Sequence, residues 1–414
     1  MQDPLGVCIM RGTLMRKQLI VSAIILLFLA LGTLIVIIYG KGYRFNLKGS
    51  NAILSGTGLL VATSTPDGAQ VLINGHLTTA TDNTINLAPG VYNVKIFKEG
   101  YFPWEKVIVI KKEVVSKADA LLFPKAPKLE SITNIGISNP VLDPSKTKIA
   151  YLVASQSATK NGIYILDMTS KPILTLQSAS IQIANDISDY LSASTIEWSP
   201  DSKEILATSG KTIKTTYLLE TNTLNQNPKD VTETIVNVDA AWNKLKTEKQ
   251  KALMDSLPKK LKKVVSEQFN ILEWSYDETK ILYEASASAE IPLIINPPLI
   301  GTDSTPEIRS LKKGEVYVYD IKEDRNYKIL DSVPKKQDNY QLSLMWLPDS
   351  KHLVYVHNGK IDIMEYDAKN QTTVYAGPFV DNFVFPWPDA TKLVILTDLG
   401  NLGTIPNLYT ISLK

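Results

Sequence analysis

Carboxylates are the first side chains of this chain that could do acid–base chemistry, and one of them recurs at a fixed place. Asp201 lies in WSPDSKEIL, and the related stretches WSYDETKILY and WLPDSKHLVYV place Asp277 and Asp349 at the same position. Such a carboxylate could serve as a general acid or base. A catalytic aspartate is expected once, in a site of its own, whereas an aspartate just before an apolar run is typical of a turn. The recurrence therefore predicts that Asp201 joins two strands.

Histidines are the second candidates, because a hydrolytic nucleophile needs a base beside it. The chain has only His76, His352 and His357, and the last two lie five residues apart around the strand LVYV. Alternation along a strand places them on opposite faces, which makes them poor metal co-ligands. The motifs G-x-S-x-G and H-E-x-x-H, a phosphate-binding loop, a dinucleotide fingerprint and a calcium-loop spacing do not occur. We expect no catalytic residue, cofactor site or metal site, although carboxylates of separate repeats could still converge.

The composition excludes several classes of protein. The 414 residues, of which 44% are hydrophobic and 21% charged, indicate a globular chain of two or three domains. A net charge of +2 gives no basic field for nucleic acid, and no recognition-helix motif supplements it. The only cysteine, Cys8, can form neither an intramolecular disulfide nor a thiolate cluster for zinc. The low net charge predicts that the chain has no nucleic-acid partner.

An apolar segment near the start predicts a transmembrane helix. Leu19 to Tyr39 is an uncharged stretch of 21 residues, which as a helix spans about 31 Å and matches the hydrocarbon core of a bilayer. The alternative is a cleaved signal peptide, whose apolar region is usually about 7 to 15 residues long. No convincing small-residue cleavage site precedes Gly40. We expect an uncleaved anchor that contacts the lipid bilayer through Leu19–Tyr39.

The orientation of this segment does not follow from its flanking charges, because both sides are basic. The basic residues before it are Arg11, Arg16 and Lys17, and those after it are Lys41, Arg44 and Lys48. Long domains translocate largely regardless of charge, so we expect residues 1–18 to form a short cytoplasmic tail. The bulk is then expected outside the plasma membrane. Met10 or Met15 could be the true start, since MRKQLIVSAII alone has the form of a signal-anchor.

Short strands follow a polar, glycine-containing linker over residues 40–57. GLLVATS and AQVLING flank TPDGA, in which Pro66 pre-sets a turn and Gly68 accepts a positive φ. A second turn, in LAPG, precedes a strand in which residues alternate between two faces. The pattern predicts a small antiparallel β-sandwich over residues 58–124.

The same segment resembles the PEGA domain family, in STPDGAQVLINGHLT and in LAPGVYNVKIFKEGYFPWEKVIVI. Pro66, Asp67, Gly68 and Ala69 stand in the name-giving positions, with Asp67 in place of the usual glutamate. The resemblance implies a surface-exposed, non-catalytic module of cell-envelope proteins. From the residues alone, these four are expected only to form a hairpin turn.

The turn motif is the start of a longer repeat. Looser copies occur in WPDATKLVIL from Trp387, which lacks the spacer before Pro388, and in VLDPSKTKIAYLV from Val141, which has no tryptophan. Each copy continues with an apolar strand and a second pair of strands joined at an acidic residue, as in KTTYLLETNTL and GEVYVYDIKEDRNYKIL. Four strands per unit are the blade of a β-propeller, which we predict for residues 128–414.

The two ends of this region are expected to close the ring. NLYTISLK supplies only a third strand to the last repeat, and KLESITNI is a strand without a blade before the first. Their pairing would hide edges that promote aggregation. Five copies of the repeat can be recognised, which predicts five blades. The alternative is six blades, one of which has a sequence too divergent to recognise. The overall fold class is therefore mainly β, with a transmembrane helix, a β-sandwich and a β-propeller.

The W-S-P-D pattern resembles TolB-type and tricorn-type propellers, which are also described as WD-repeat-like. The resemblance implies a binding platform or accessory domain and does not imply an activity. Sialidase-type propellers are a poor match, because their Asp-box places aspartate before tryptophan.

Two insertions interrupt the repeats. Residues 239–268 predict amphipathic helices broken at Pro258, whose lysines either are solvated on the propeller rim or meet anionic lipid or wall polymer. These lysines are Lys259, Lys260, Lys262 and Lys263. The second insertion, SASAEIPLIINPPLIGTDSTPEIRSLKKG, either packs as a plain loop or forms a flap or partner contact.

Together these features predict a single-pass membrane protein of the cell envelope, with an exported, non-catalytic propeller for binding or scaffolding. Its partner is expected to be a protein or an envelope glycan. The alternatives are a propeller-based hydrolase or lyase acting on an envelope polysaccharide or peptide, and a purely structural component. Three convergent carboxylates, or a histidine with a carboxylate, in the central funnel would favour an enzyme. Apolar and aromatic lining would favour binding.

Overall fold

The computed structural model describes residues 6–40, 43–46, 53–169, 180–210, 212–334, 343–380, 383–401 and 403–414. These residues form two compact units. The first contains residues up to Ile96 together with Val107–Ala120 and Ile300–Ser304. The second contains Phe97–Lys106, Leu121–Leu299 and Thr305–Lys414.

Helix α1 (Gly6–Gly40) begins the first unit. Its segment Leu19–Ile37 is apolar, is long enough to cross a membrane, and buries none of its residues against the rest of the chain. The helix is therefore a candidate membrane anchor. After it, β1 (Tyr43–Asn46) and β2 (Ile53–Gly56) pair antiparallel, so the segment predicted as a linker contains a two-stranded hairpin.

The small domain consists of two sheets, in agreement with the predicted sandwich, and within them β6 pairs antiparallel with β3 and β5 with β4. One sheet has the order β6-β3-β9 and the other β5-β4-β7-β8. Burial alternates along the strands, because successive side chains point to opposite faces and one face of each sheet is apolar. Gly68 has a φ of 66°, as its place in the turn requires. The strands are β3 (Gly58–Thr65), β4 (Gln70–Ile73), β5 (His76–Ala80), β6 (Asn83–Leu87), β7 (Gly90–Phe97), β8 (Trp104–Ile110) and β9 (Val115–Leu121).

The second unit contains five four-stranded antiparallel sheets within its described residues, numbered here blades 1 to 5. Blade 1 has β11 (Ser138–Leu142), β12 (Lys148–Val153), β13 (Gly162–Asp167) and β14 (Ser180–Asn185). Blade 2 has β15 (Thr195–Trp198), β16 (Glu204–Ser209), β17 (Thr215–Glu220) and β18 (Lys229–Asp230). Blade 3 has β19 (Phe269–Trp274), β20 (Lys280–Ala285), β23 (Val316–Asp320) and β24 (Arg325–Leu330).

Blade 4 has β25 (Leu344–Trp346), β26 (His352–His357), β27 (Lys360–Glu365) and β28 (Thr372–Tyr375). Blade 5 has β29 (Val384–Pro386), β30 (Lys392–Thr397), β31 (Asn407–Ser412) and β10 (Leu129–Ser131). Blade 5 thus joins the beginning of the propeller to its end, since β10 pairs with β31 from Leu129 opposite Ile411 to Ser131 opposite Tyr409. The predicted pairing of the two ends is confirmed.

Buried clusters join the blades in sequence. Trp198 of blade 2 packs with Leu152 and Ile163 of blade 1, and Tyr151 of blade 1 packs with Val394 of blade 5. Further clusters join blade 3 to blade 4 and blade 4 to blade 5. Blades 2 and 3 each contribute to a further cluster with the helical segment that connects them.

Two helices form the connection between blades 2 and 3. Helix α2 (Ile235–Ser256) packs on blade 2 through the buried Trp242, and α3 (Lys259–Gln268) packs on blade 3 through Leu261 and Val265. The break lies at Pro258, as predicted, because proline lacks the N–H that a continuing helix needs. Their buried apolar faces agree with packing on the propeller. Short 3-10 turns occur at Leu191–Ala193 and Thr232–Thr234.

The second insertion is anchored on blade 3. It contains the paired strands β21 (Ala289–Glu290) and β22 (Ser310–Leu311). The backbone N–H groups of Ile294 and Ile295 each donate to the carboxylate of Asp324 at 2.8 Å. Because that carboxylate is buried and also pairs with Arg309, this part of the insertion packs as an ordered loop.

Candidate functional site

The turn between the first two strands has the same backbone geometry in all five blades. The N–H of the first turn residue donates to the carbonyl of the residue five positions later. The N–H of the residue three positions later donates to the carbonyl of the first turn residue. In blade 2 these bonds are Ser199 N to Glu204 O and Ser202 N to Ser199 O, both 2.9 Å. The equivalent first residues of the other blades are Asp143, Ser275, Leu347 and Trp387. Trp387 therefore corresponds to Ser199, and Pro386 takes the place of Trp198, which the sequence repeat alone did not reveal.

The recurring aspartates bind their own turns. The Ser199 hydroxyl donates to Asp201 Oδ1 at 2.8 Å, and the Lys203 N–H donates to the same atom at 3.3 Å. Although partial burial raises it, these hydrogen bonds and the charge of Lys203 hold the pKa of the Asp201 carboxyl below its usual value. Asp277 accepts the equivalent bond from Ser275 at 2.7 Å. These carboxylates hold turns together.

Removal of the hydrogen bonds that Asp201 accepts within its turn is expected to lower the stability of the folded chain modestly. We expect Asp201→Ala to lower the free energy of unfolding by about 0.5 to 2 kcal/mol, as other lost side-chain caps do. Partner binding should be retained in the folded fraction, because Asp201 does not line the cavity described below. Urea unfolding and partner capture measure the two quantities, with Asp201→Asn as the control that keeps one acceptor oxygen. Lost binding at an unchanged unfolding midpoint would contradict a purely structural role.

A cavity of about 210 Å³ lies where four blades meet. Its walls come from the first strand or first turn of blades 1, 3, 4 and 5, so these strands surround a shared central space. The lining residues are Val141, Leu142, Asp143, Pro144, Lys146, Glu273, Tyr276, Met345, Trp346 and Pro386. Five of these ten are aliphatic, proline or methionine, two are aromatic and three are charged. Apolar walls with a few polar groups are typical of binding sites.

Glu273 connects three blades across this cavity. One carboxylate oxygen pairs with the ammonium of Lys146 from blade 1, and the other accepts the backbone N–H of Trp346 from blade 4 at 3.0 Å. The Lys146 ammonium also lies 4.3 Å from the centre of the Tyr276 ring, as in a cation–π contact. The carboxylate is therefore held in place by two donors.

Two buried polar atoms of the residues that line the cavity have no hydrogen-bond partner. They are the Tyr276 hydroxyl and the Trp346 Nε1. Burial raises the pKa of Tyr276, and the negative charges of Glu273 and Asp143 raise it further. The phenol is thus neutral at physiological pH.

Asp143 is the second carboxylate of the cavity, and its oxygens are used by its own turn. Oδ1 accepts the backbone N–H groups of Thr147 and Lys148, each at 2.7 Å, and Oδ2 accepts the Ser145 hydroxyl. The cavity lining contains no histidine. Among the described residues, three or more histidine, cysteine, aspartate or glutamate side chains nowhere gather as metal ligands would.

The histidines lie away from this cavity. His352 is buried and its Nδ1 is 2.6 Å from Asp349, whereas the half-buried His357 has its Nε2 2.9 Å from Asp362. Each therefore pairs with a carboxylate of its own blade. His76 is exposed on β5. The structure does not bring the three together.

The pair of His352 and Asp349 predicts a pH dependence of stability. Burial alone would lower the pKa of His352, but the charge and hydrogen bond of Asp349, with the charge of Glu365, raise it above the usual 6.5. The contribution of the charged pair is therefore fully present below the unfolded-state pKa and is lost as pH rises through the folded-state pKa. We expect the free energy of unfolding to fall more steeply in wild type than in His352→Gln as the pH rises above 6.5.

Urea unfolding of the detergent-solubilised full chain at several pH values measures this difference. Asp349→Asn, which removes the other partner of the pair, should weaken the pH dependence as His352→Gln does. Equal slopes for wild type and His352→Gln would show that the pair does not contribute.

Comparisons with known proteins agree with the two folded parts. Residues 57–125 match the PEGA domain family. Comparison with curated protein sequences gives no match. The similar solved structures include TolB proteins and other β-propellers, in agreement with the resemblance noted in the sequence.

Three of these structures illustrate how distant the likeness is. A protein assigned as TolB from Agrobacterium tumefaciens is 12% identical, with 67% of this chain and 78% of that chain covered and a TM-score of 0.22. TolB from Acinetobacter baumannii is 13% identical, with 78% and 59% covered and a TM-score of 0.18. Oligogalacturonate lyase from Vibrio parahaemolyticus is 8% identical, with 78% and 86% covered and a TM-score of 0.26. Such values support no argument about function, and the propeller assignment rests on the strand pairing described above.

Proposed function

We propose that this chain is a single-pass membrane protein of the cell envelope whose propeller binds a partner without catalysing a reaction. Helix α1 anchors it in the bilayer through Leu19–Tyr39, residues 1–18 lie in the cytoplasm, and the rest is exported. The apolar helix and the PEGA domain support this arrangement.

The central cavity is the observation on which the binding role depends. Its walls are mainly apolar and aromatic, and its two carboxylates, Asp143 and Glu273, are each held by internal donors. A hydrolase or lyase would need a free carboxylate or a histidine facing its substrate. A protein or envelope glycan that docks on this part of the propeller meets a preformed recess instead. A purely structural component would not need the recess.

Site-specific photocrosslinking in intact cells tests this proposal. A photoreactive residue replaces the exposed Pro144 at the cavity, and the control replaces Val236, which is 73% exposed on α2. We expect a discrete adduct from position 144 and none from position 236. Absence of an enriched protein or glycan at position 144 would contradict the binding role. Turnover of an envelope polysaccharide or peptide that is lost in Glu273→Gln would support the enzymatic alternative.

Protease protection tests the proposed orientation separately. Protease added to intact cells should digest the chain beyond Gly40, because that part is proposed to be exported. A chain that is cleaved only after the membrane is broken would place the propeller in the cytoplasm. A soluble marker protein of the cytoplasm serves as the control for cell integrity.

A further inference from the structure

We infer that the central cavity takes a lysine or arginine side chain of a partner protein, and that Lys146 occupies this place while the partner is absent. The inference rests on the proposed binding function and adds the chemistry of the ligand. It follows from the two residues at which the repeated turn departs from its own pattern, from the charges around them, and from the shape of the recess.

Lys146 and Tyr276 are the exceptions among the five turns. At the position of Lys146, the other blades have Ser202, Glu278, Ser350 and Ala390, so the turn itself does not require a long basic side chain. At the position of Tyr276, the other blades have Pro144, Pro200, Pro348 and Pro388. Proline is the residue that such a turn favours.

These two exceptions meet in space. The ammonium of Lys146 lies 4.3 Å from the ring centre of Tyr276, although the residues belong to blades 1 and 3. Departures from a local rule are expected at functional sites, where another requirement outweighs local preference. The departures here build an ammonium site against an aromatic face.

The charges of the cavity favour a cation. Its lining has two carboxylates, Asp143 and Glu273, against the single ammonium of Lys146. The same negative charges contribute to the raised pKa of Tyr276. An aromatic face next to a carboxylate is a favourable environment for an ammonium or guanidinium group, because both attract the positive charge. Without Lys146, the cavity would be an unfilled cation site.

Lys146 can be replaced at low cost. Its side chain is 25% exposed and that of Glu273 is 17% exposed, so the pair is partly solvated and gains less than a fully buried one. The lysine side chain has a flexible stem that can carry the ammonium out to solvent. An incoming cation then forms the same contacts with Glu273 and Tyr276.

The walls favour a protein over a glycan as the source of the cation. Val141, Leu142 and Met345 can contact the methylene stem of a lysine or arginine, whereas they would leave sugar hydroxyls without partners. The volume of about 210 Å³ exceeds the roughly 150 Å³ of a protein cavity that accepts benzene.

The test uses the full chain in lipid nanodiscs and two small peptides, acetyl-Gly-Lys-Gly-amide and the uncharged acetyl-Gly-norleucine-Gly-amide. Lys146→Ala removes the internal competitor, so we expect it to bind the lysine peptide at least 10-fold more tightly than wild type, by calorimetry. The norleucine peptide should show no such gain. In Lys146→Ala/Glu273→Gln the gain should disappear. Equal affinity of wild type and Lys146→Ala for the lysine peptide would overturn the inference, as would tighter binding of glucosamine than of the lysine peptide.

Chemical rescue keeps the inference testable if Lys146→Ala is unstable. That variant leaves Glu273 without its counter-charge, so its melting temperature should fall, and n-butylammonium should restore it while n-butanol should not. Lys146→Met, which keeps the apolar stem, should respond less because the stem blocks the recess. Equal effects of the two solutes on Lys146→Ala would overturn the inference. A partner captured at position 144 with the same affinity in wild type and Lys146→Ala would leave the proposed function intact and exclude the cation site.

Discussion

Removal of residues 407–414 is expected to abolish the cooperative unfolding of the propeller. This segment contains β31, which pairs with β30 over the register Lys392–Thr397 and with β10 on its other side. Without β31, strand β10 has no strand partner among the described residues, and the ring opens between its first and last elements. Both remaining edges would then be exposed to intermolecular pairing.

The lost packing alone is comparable with the stability of a whole domain. Leu408, Ile411 and Leu413 are each 0% exposed, and a buried aliphatic side chain of this size is worth about 2 to 5 kcal/mol. Three such losses approach the roughly 5 to 15 kcal/mol that stabilises a typical domain. The measurement is urea unfolding of the purified full chain followed by tryptophan fluorescence. Deletion of the exposed Lys414 alone is the control and should leave the midpoint unchanged. A cooperative transition at the wild-type midpoint in the longer truncation would show that the ends do not hold the ring together.

Trp346→Ala is expected to lower the free energy of unfolding by about 3 to 5 kcal/mol. Trp346 is 0% exposed and packs with Leu282 and Val318 of blade 3 and with Leu353 of its own blade. Its removal leaves an internal space next to a residue position that already lines the central cavity. The surrounding blades cannot collapse to fill that space without breaking their strand pairing.

Trp346→Phe separates packing from hydrogen bonding at this position. Phenylalanine keeps most of the ring volume and removes an Nε1 that has no partner, and a buried donor without a partner is itself unfavourable. We therefore expect this variant to stay within about 1 kcal/mol of wild type. The backbone bond from residue 346 to Glu273 is available in both variants. Equal losses in Trp346→Ala and Trp346→Phe, measured by urea unfolding, would show that the indole N–H is needed after all.

Local patterns were sufficient to predict much of the fold. The alternation of polar and apolar residues, with a turn motif that recurs once per blade, predicted four-stranded units and the closure of blade 5. Strand and turn signals of this kind act over a few residues, so they can be recognised without tertiary structure. The break between α2 and α3 at Pro258 was predictable for the same reason.

The candidate site was not predicted, because it depends on contacts between distant repeats. Lys146 and Glu273 are separated by 127 residues and meet only when the ring forms. A signal was nevertheless present in the sequence. Alignment of the five turns by their first strands shows that Tyr276 replaces a proline and that Lys146 is the only basic residue at its position. An alignment on tryptophan places Trp387 opposite Trp198, whereas the turn geometry places Trp387 opposite Ser199, one residue further along.

Filling the central cavity tests most directly whether the propeller binds its partner there. Val141→Trp places a large ring in the cavity, and Glu197→Trp places the same ring at the equivalent position of blade 2, which does not line it. The measurement is the amount of partner captured with the full chain after chemical crosslinking in intact cells, at equal amounts of folded chain. A fall of at least 10-fold in Val141→Trp, with no change in Glu197→Trp, is the predicted result. Equal capture by the two variants would contradict binding at the cavity.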